Sequence, residues 1–374
     1  MNIGFDAKRV VQNNTGLGNY GRYMIELLSR YYPDNQYFIF APKQKKNKRL
    51  DTLLSRKNVS FVFPSGISRF APSIWRTIGI RKDLLNNRIE LFHGLSNELP
   101  LGIGHLKMKS VVTIHDLIFL RYPEFYNPID RWIYRWKFRR ACRVADKIIA
   151  VSECTKRDII TFFSIPEEKI TVVYQGCHPQ FRQAVSEEKK REIREKYKLP
   201  HSFLLYVGSI EPRKNLLTAV KALCRISEDI RLVAIGRETP YQAKVEAYAR
   251  LSGVESRLHI RNDIPFGDLP AIYQSATVFL YPSFFEGFGI PVIEALSSEV
   301  PVIAATGSCL EEAGGPDSVY VNPEDDRELA ARILEIINDE ALANRMKAAG
   351  KLYVKKFDDE QIASEIKKTA IFAQ

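Results

Sequence analysis

Short apolar runs recur along the chain, separated by longer stretches in which apolar residues return every three or four positions. In the first half they are NIGFD (2–6), YFIFA (37–41), VSFVF (59–63), ELFHG (90–94), SVVTIH (110–115), KIIAVS (147–152) and ITVVYQ (170–175). In the second half they are FLLYVG (203–208), RLVAIG (231–236), RLHIR (257–261), TVFLYP (277–282), PVIAA (301–305) and SVYVN (318–322). Many are apolar throughout rather than alternating, which is the pattern of parallel strands buried on both faces. Helical runs separate most of them, giving two successive sets of β-α-β-α units and so two doubly wound α/β domains. A length of 374 residues agrees, because single cores rarely grow past about 250–300 residues. The expected boundary divides residues 1–178 from 179–374, where ITVVYQG ends and the charged run EEKKREIREKYKL follows. The tail from about residue 358 reads as a terminal helix, with Asp358 and Asp359 at its positive end.

The densest candidate chemistry lies in SFFEGFGIPVIEAL, residues 283–296, directly after a predicted strand. Glu286 and Glu294 stand eight residues apart, with Gly287, Phe288, Gly289 and Pro291 between them. Proline suits the first turn of a helix, so the layout is strand, glycine-rich turn, helix N-terminus. Such a turn offers backbone N–H groups and the positive end of a helix dipole. Carboxylates there accept hydrogen bonds from sugar or ribose hydroxyls, and glycines allow close backbone approach. The plainer alternative is a tight turn leading into a core helix.

Three further segments sit where strands give way to loops. In YVGSIEPRKNL (206–216), Arg213 and Lys214 precede a helix, where a diphosphate would meet two cations and a dipole; a solvated basic turn is the alternative. TGLGNYGRYM (15–24) follows the first strand and fits G-x-G-x-x-G through Gly16, Gly18 and Gly21. A nicotinamide-binding fold would want an acidic residue ending the second strand, and that strand ends in Pro42 and Lys43 instead. In VVTIHDLIF (111–119), His115 and Asp116 end a buried strand, on the edge where doubly wound sheets bind ligands.

The E-x7-E stretch with its G-F-G-I-P insert resembles the donor-sugar motif of retaining GT-B glycosyltransferases. The family is glycosyltransferase family 4 (group 1), which includes many bacterial mannosyltransferases. The resemblance implies that Glu286, with the backbone amides of Gly287, Phe288 and Gly289, holds the donor sugar, and that Glu294 holds the nucleotide ribose. Arg213 and Lys214 resemble the family's diphosphate clamp, with the two cations adjacent. Gly16 and Gly18 would belong to a loop closing on the donor phosphates and acceptor across an interdomain cleft. His115 would orient an outer hydroxyl of the sugar, its carbonyl near the anomeric carbon. The implied fold is GT-B: two Rossmann-like domains facing a cleft, the last helix returning to the N-terminal domain. The implied reaction moves a hexosyl group with retention from a nucleotide diphosphate sugar to an acceptor hydroxyl, the leaving diphosphate helping to deprotonate the acceptor. GDP-mannose is the best-matched donor, residues 261–265 border its base, and a lipid-linked or growing surface polysaccharide is the expected acceptor. No cofactor and no metal are expected, the cations taking the metal's place.

Composition narrows the rivals. There is no D-x-D, no G-x-x-x-x-G-K-[ST] and no G-x-S-x-G, which disfavours metal-dependent single-domain glycosyltransferases, P-loop NTPases and α/β hydrolases. A glycosidase could use Glu286 and Glu294 but would leave Arg213 and Lys214 without purpose. A UDP-sugar donor, a two-domain nucleotide-sugar epimerase and a non-catalytic sugar- or nucleic-acid-binding protein remain as alternatives. Nucleic acid is disfavoured, because the aromatics fall at helical spacing beside core positions. The five scattered cysteines, odd in number and without a C-x-x-C, suggest reduced thiols, a cytoplasmic setting and no zinc site. No apolar run approaches the roughly 20 residues of a membrane span, and the first residues lack a secretion signal's apolar core. Residues 1–178 hold 29 Lys and Arg against 15 Asp and Glu, whereas 179–374 hold 26 against 29. The basic half carries two basic–aromatic segments, 69–85 and 130–145, and the run KQKKNKR (43–49). Together they suggest peripheral contact with the anionic inner face of a cell membrane.

Overall fold

The structure, a computed structural model, describes residues 1–13, 16–45, 47–227 and 229–371. Thr15 of the glycine segment, Lys46 of the basic run and the last three residues of the predicted tail helix lie outside the described residues. The chain forms two compact units, residues 1–175 together with the segment from Asp359, and residues 176–358.

The first unit holds β1 (Asn2–Asp6), β2 (Gln36–Phe40), β3 (Val59–Val62), β4 (Leu91–Gly94), β5 (Lys109–Ile114), β6 (Lys147–Ala150) and β7 (Ile170–Val172). They form one sheet in the order β3-β2-β1-β4-β5-β6-β7, every pair parallel. The second unit holds β8 (Phe203–Val207), β9 (Arg231–Ile235), β10 (Leu258–Arg261), β11 (Val278–Tyr281), β12 (Val302–Ala305) and β13 (Val319–Val321). Their order is β10-β9-β8-β11-β12-β13, again parallel throughout. Each predicted apolar run forms a strand, trimmed by a residue or more at its ends in most cases. Burial explains the composition: β4, β11 and β12 are buried at every position, whereas the edge strands β3 and β10 contain no fully buried residue. Helices cover both faces of each sheet, as parallel connections require.

Both sheets reverse their winding direction beside the first strand of the unit, between β1 and β4 and between β8 and β11. Beyond the carboxyl ends of strands at such a reversal, loops diverge and leave a crevice. The final helix, Asp359–Ile371, packs on helix Gly16–Tyr31 in the first unit. The Tyr23 hydroxyl donates to Asp359 at 2.8 Å, and Arg30 pairs with the same carboxylate at 2.6 Å.

Candidate active site

At the reversal point of the second sheet, the loops after β8 and β11 are laced together. After β8 the chain makes a 3-10 turn over Pro212–Lys214, and Asn215 adopts a left-handed conformation, φ +57°, before helix Leu216–Leu223. Asparagine tolerates this conformation, and here its side chain also donates to the Pro282 and Pro323 carbonyls at 3.0 and 2.7 Å. The Arg213 carbonyl accepts from Phe284 N–H at 2.9 Å and from the Ser283 hydroxyl at 3.2 Å. These bonds fix where the Arg213 and Lys214 side chains begin.

Both side chains converge on Glu286. Arg213 Nη1 lies 3.1 Å from one carboxylate oxygen and Lys214 Nζ 2.9 Å from the other. The Ser283 hydroxyl donates to Glu286 at 2.7 Å, and the Tyr281 hydroxyl lies 3.3 Å from the same oxygen. Burial alone would raise the Glu286 pKa. Lys214, Arg213 and the Ser283 hydroxyl together outweigh it and bring it down to about 2. Glu286 is therefore a buried, ionised carboxylate. Arg213 also pairs with Glu211 at 2.8 Å, and Lys214 donates to the Tyr281 hydroxyl at 2.6 Å.

After Glu286 the chain turns through Gly287, Phe288 and Gly289 into helix Ile290–Ser297, with Pro291 in its first turn. Gly289 has φ +126°, a conformation closed to residues with a Cβ, which would also press on Leu310 and Ala313. The Phe288 ring is buried and packs edge-on against Phe357 at 5.5 Å. From beneath, the buried Cys309 thiol lies 3.0 and 2.9 Å from the carbonyl oxygens of Glu286 and Phe288. All five cysteines are free thiols.

Glu294, on the next helix, is in a different environment. It accepts from the Tyr273 hydroxyl at 3.0 Å and, among the described residues, forms no ion pair. Burial raises its pKa to about 8, the Tyr273 bond opposing only in part, so its carboxyl is largely protonated at neutral pH. The two glutamates of one motif thus carry different charge.

Gly16, Gly18 and His115 belong to the first unit. Gly16 and Gly18 form the first turn of helix Gly16–Tyr31. A Cβ at Gly18 would overlap the Asn13 carbonyl oxygen, so this glycine permits close helix-to-loop packing; Gly16 faces open space. Tyr20, one turn along, packs edge-on against the His115 ring at 4.6 Å. His115 is buried after β5, its Nε2 bonded to the Leu95 carbonyl at 2.9 Å. That bond requires the proton on Nε2 and leaves Nδ1 as an acceptor. Burial lowers the His115 pKa to about 4, the Leu95 bond opposing, so the ring is neutral. Its carbonyl accepts from the Thr155 hydroxyl at 3.2 Å. Behind it, Tyr20 and His93 both bond to the Thr113 hydroxyl, at 3.1 and 2.8 Å.

Several participants carry no motif of their own. Ser283, Tyr281, Tyr273, Asn215 and Cys309 were not singled out in the sequence; Ser283 and Asn215 flank the chosen residues and were within reach, whereas Tyr273 and Cys309 join only through the fold. At the end of β1, Arg76 forms a bidentate pair with Asp6, its Nη2 at 2.6 Å, and a further bond to Glu98 at 2.8 Å. Segment 69–85, read from the sequence as a basic–aromatic segment for membrane contact, does not present all of its residues to its surroundings. Arg76 turns inward, and Trp75 and Ile80 are core residues, 2% and 1% exposed. Among the described residues, no group of three or more His, Cys, Asp or Glu is placed to hold a metal ion.

Comparison with known proteins adds the following. The family model for glycosyl transferases group 1 matches residues 187–353, and that for Glycosyltransferase Family 4 matches residues 16–181. The O-antigen chain mannosyltransferase B of Escherichia coli is 28% identical over 281 residues, 74% of this chain and 72% of that protein. The serotype-specific mannosyltransferase WbdA of Escherichia coli is 28% identical over 265 residues, 68% of this chain but 32% of that longer protein. Among solved structures, Anabaena HepE in complex with UDP and glucose superimposes with a TM-score of 0.78 at 17% identity, covering 99% of both chains.

Proposed function

We propose that this chain, which belongs to the group 1 and family 4 glycosyltransferases of the GT-B fold, transfers a mannosyl group from GDP-mannose to an acceptor hydroxyl with retention at the anomeric carbon. The observation that carries the site assignment is the convergence of Arg213 and Lys214 on the buried, ionised Glu286 at the reversal point of the second sheet. A carboxylate held ionised there accepts hydroxyls of a sugar, and the neighbouring cations attract a diphosphate. The two demands are compatible because an arriving diphosphate shares the cations with Glu286. In this reading the amides of Gly287, Phe288 and Gly289 complete the sugar site, Glu294 binds the ribose, and residues 261–265 border the base. Gly16 and Gly18 serve the phosphates, and His115 an outer hydroxyl through Nδ1.

The work of catalysis is then electrostatic. Charge builds on the diphosphate as the glycosidic bond breaks, and fixed cations stabilise it without reorganising. The leaving diphosphate takes the acceptor proton, so no side chain needs to act as nucleophile, and no metal or cofactor is required. The mannosyl assignment is supported by the relatives, which are O-antigen and serotype mannosyltransferases. Those relatives also favour an acceptor on a lipid-linked or growing surface polysaccharide, and with it work at the inner face of the cell membrane.

The test is a panel of GDP- and UDP-sugars, with and without divalent metal, followed by calorimetry and by slow donor hydrolysis. Micromolar binding of GDP-mannose, lost in Arg213→Ala, is expected. Preference for a UDP-sugar would overturn the donor, inverted product the retention, and product formed without acceptor or water would favour an epimerase. Metal-dependent turnover would overturn the metal-free reading.

A further inference from the structure

Helix Pro128–Val144 is apolar on two sides. One side, Phe138, Ala141 and Cys142, is buried in the core of the first unit. The other, Ile129, Trp132 and Trp136, recurs at intervals of three and four residues and is 70%, 72% and 53% exposed. A second exposed apolar row runs along residues 66–86: Ile67, Phe70, Ile74 and Ile78, with Phe70 at 90%. Single exposed apolar residues are ordinary, but contiguous rows mark a surface built to be covered.

The two rows lie on neighbouring elements. Glu98 accepts from Arg76 at 2.8 Å with one oxygen and from Lys137 at 3.3 Å with the other. The segment beyond it is gripped from both sides, Leu101 N–H donating to the Thr77 carbonyl at 2.7 Å and Arg140 to the carbonyls of Leu99 and Pro100. Basic side chains outnumber acidic ones around the rows. Arg69, Lys82 and Arg135 are exposed, against the exposed carboxylate of Asp130 between Ile129 and Trp132. Asp83 faces inward, accepting from Trp75 Nε1 at 2.6 Å, and Glu98 is committed to its two cations. Tryptophan at a surface rimmed with long basic side chains suits the boundary between lipid headgroups and acyl chains.

We infer that these two rows form one docking face for an anionic phospholipid bilayer, Phe70, Trp132 and Trp136 entering the headgroup region while Arg69, Lys82 and Arg135 meet lipid phosphates. The inference narrows the membrane contact within the lipid-linked acceptor reading above and rests on it. Trp75, Ile80 and Arg76, which the sequence grouped with this segment, take no part.

The test is co-sedimentation of the purified protein with vesicles of phosphatidylcholine containing increasing phosphatidylglycerol. Binding should rise with phosphatidylglycerol and weaken in salt. The variant Phe70→Ser/Trp132→Ser/Trp136→Ser should bind at least about tenfold more weakly, with unchanged circular dichroism and unchanged donor hydrolysis in solution. Arg69→Gln/Lys82→Gln/Arg135→Gln should lose the dependence on phosphatidylglycerol. No binding by the wild-type protein, or equal binding by the triple serine variant, would overturn the proposal. So would a dimer in light scattering that the serine variant dissolves, since the face would then belong to a second copy. Vesicle binding without hydrolysis of any donor would instead bring down the transferase reading and leave the docking face standing.

Discussion

Glu286→Gln keeps the size of the side chain and removes its charge, which makes it the sharpest probe of the site. Arg213, Lys214 and Glu286 have side chains only 16%, 15% and 11% exposed, so the substitution strands two cations in a poorly hydrated place. Removing one partner of a buried pair costs roughly 3–5 kcal/mol. Arg213 keeps Glu211 at 2.8 Å and Lys214 keeps the Tyr281 hydroxyl at 2.6 Å, which favours the lower end, about 3 kcal/mol. The ionisation of Glu286 gives the same size, because a fall from 4.5 to about 2 corresponds to about 3 kcal/mol. The folded pKa lies below the unfolded one. The stabilisation is therefore complete above about pH 4.5 and disappears as the pH falls towards 2. Urea unfolding of both proteins from pH 7 to pH 3 should show a gap of about 3 kcal/mol that closes through the acid range. Transfer should fall by at least about a hundredfold at pH 7. A variant as stable as wild type at pH 7, or a gap that ignores pH, would refute the ion-pair reasoning; full transfer would refute the sugar-site assignment.

Three further outcomes follow from the geometry. In Glu294→Gln the sign reverses: with a folded pKa raised to about 8, the native state favours the protonated carboxyl, an advantage complete below about 4.5 and lost as pH rises through 8. Because glutamine cannot ionise, the variant should gain on wild type by about 1.4 kcal/mol per pH unit across that window in urea midpoints, and parallel curves would exclude the buried-carboxyl account. Cys309→Val removes the donor beneath the Glu286 and Phe288 carbonyls, so KM for the donor should rise about tenfold with kcat nearly unchanged, and Cys309→Ser should restore it; an equal fall in kcat and kcat/KM would point elsewhere. Gly18→Ala forces a methyl group into the Asn13 carbonyl and should lose about 2–3 kcal/mol in denaturant melts, whereas Gly16→Ala, facing open space, should lose under about 1 kcal/mol.

The strands were legible because burial on both faces leaves no room for polar alternation: β4, β11 and β12 read as unbroken apolar runs and are buried throughout. The site's charges were legible as residues but not as partners. Arg213 and Lys214 read as a basic turn awaiting an anion, and Glu286 as a carboxylate awaiting sugar hydroxyls. Their mutual pairing depends on β8 and β11 being neighbours, and adjacency of strands so far apart in sequence is not written in either segment. The difference in charge between Glu286 and Glu294 was hidden for the same reason. What separates them is the company each keeps, two cations for one and the Tyr273 hydroxyl for the other. Segment 69–85 shows the limit of counting basic and aromatic residues. An interrupted helix, with a π-helical turn at Trp75–Gly79, sends Trp75 and Arg76 inward and leaves Ile74 and Ile78 outside.

The ionisation states bear on how such a site can work. Glu286 is charged, Glu294 is protonated, and His115 is neutral with its one ring proton committed to the Leu95 carbonyl. A general acid or base works best with a pKa near the operating pH. By that measure Glu286 is far too acidic and His115, at about 4, is a weak base held by its neighbour. Glu294 has a suitable value, but as a consequence of burial beside Tyr273, and binding a polar ligand there would change that environment. Glu211, Arg213, Lys214 and Glu286 pair with one another, two basic and two acidic side chains. They cancel at rest, so folding does not have to hold a naked cation in a crevice. A diphosphate that enters and shares Arg213 and Lys214 upsets the balance in favour of negative charge, which donor hydroxyls directed at Glu286 relieve by hydrogen bonding. The sugar and the diphosphate then stabilise each other's binding through the same four residues. A nucleotide diphosphate lacking the sugar should accordingly bind less tightly than the intact donor, and Glu286→Gln should erase most of that difference in calorimetry.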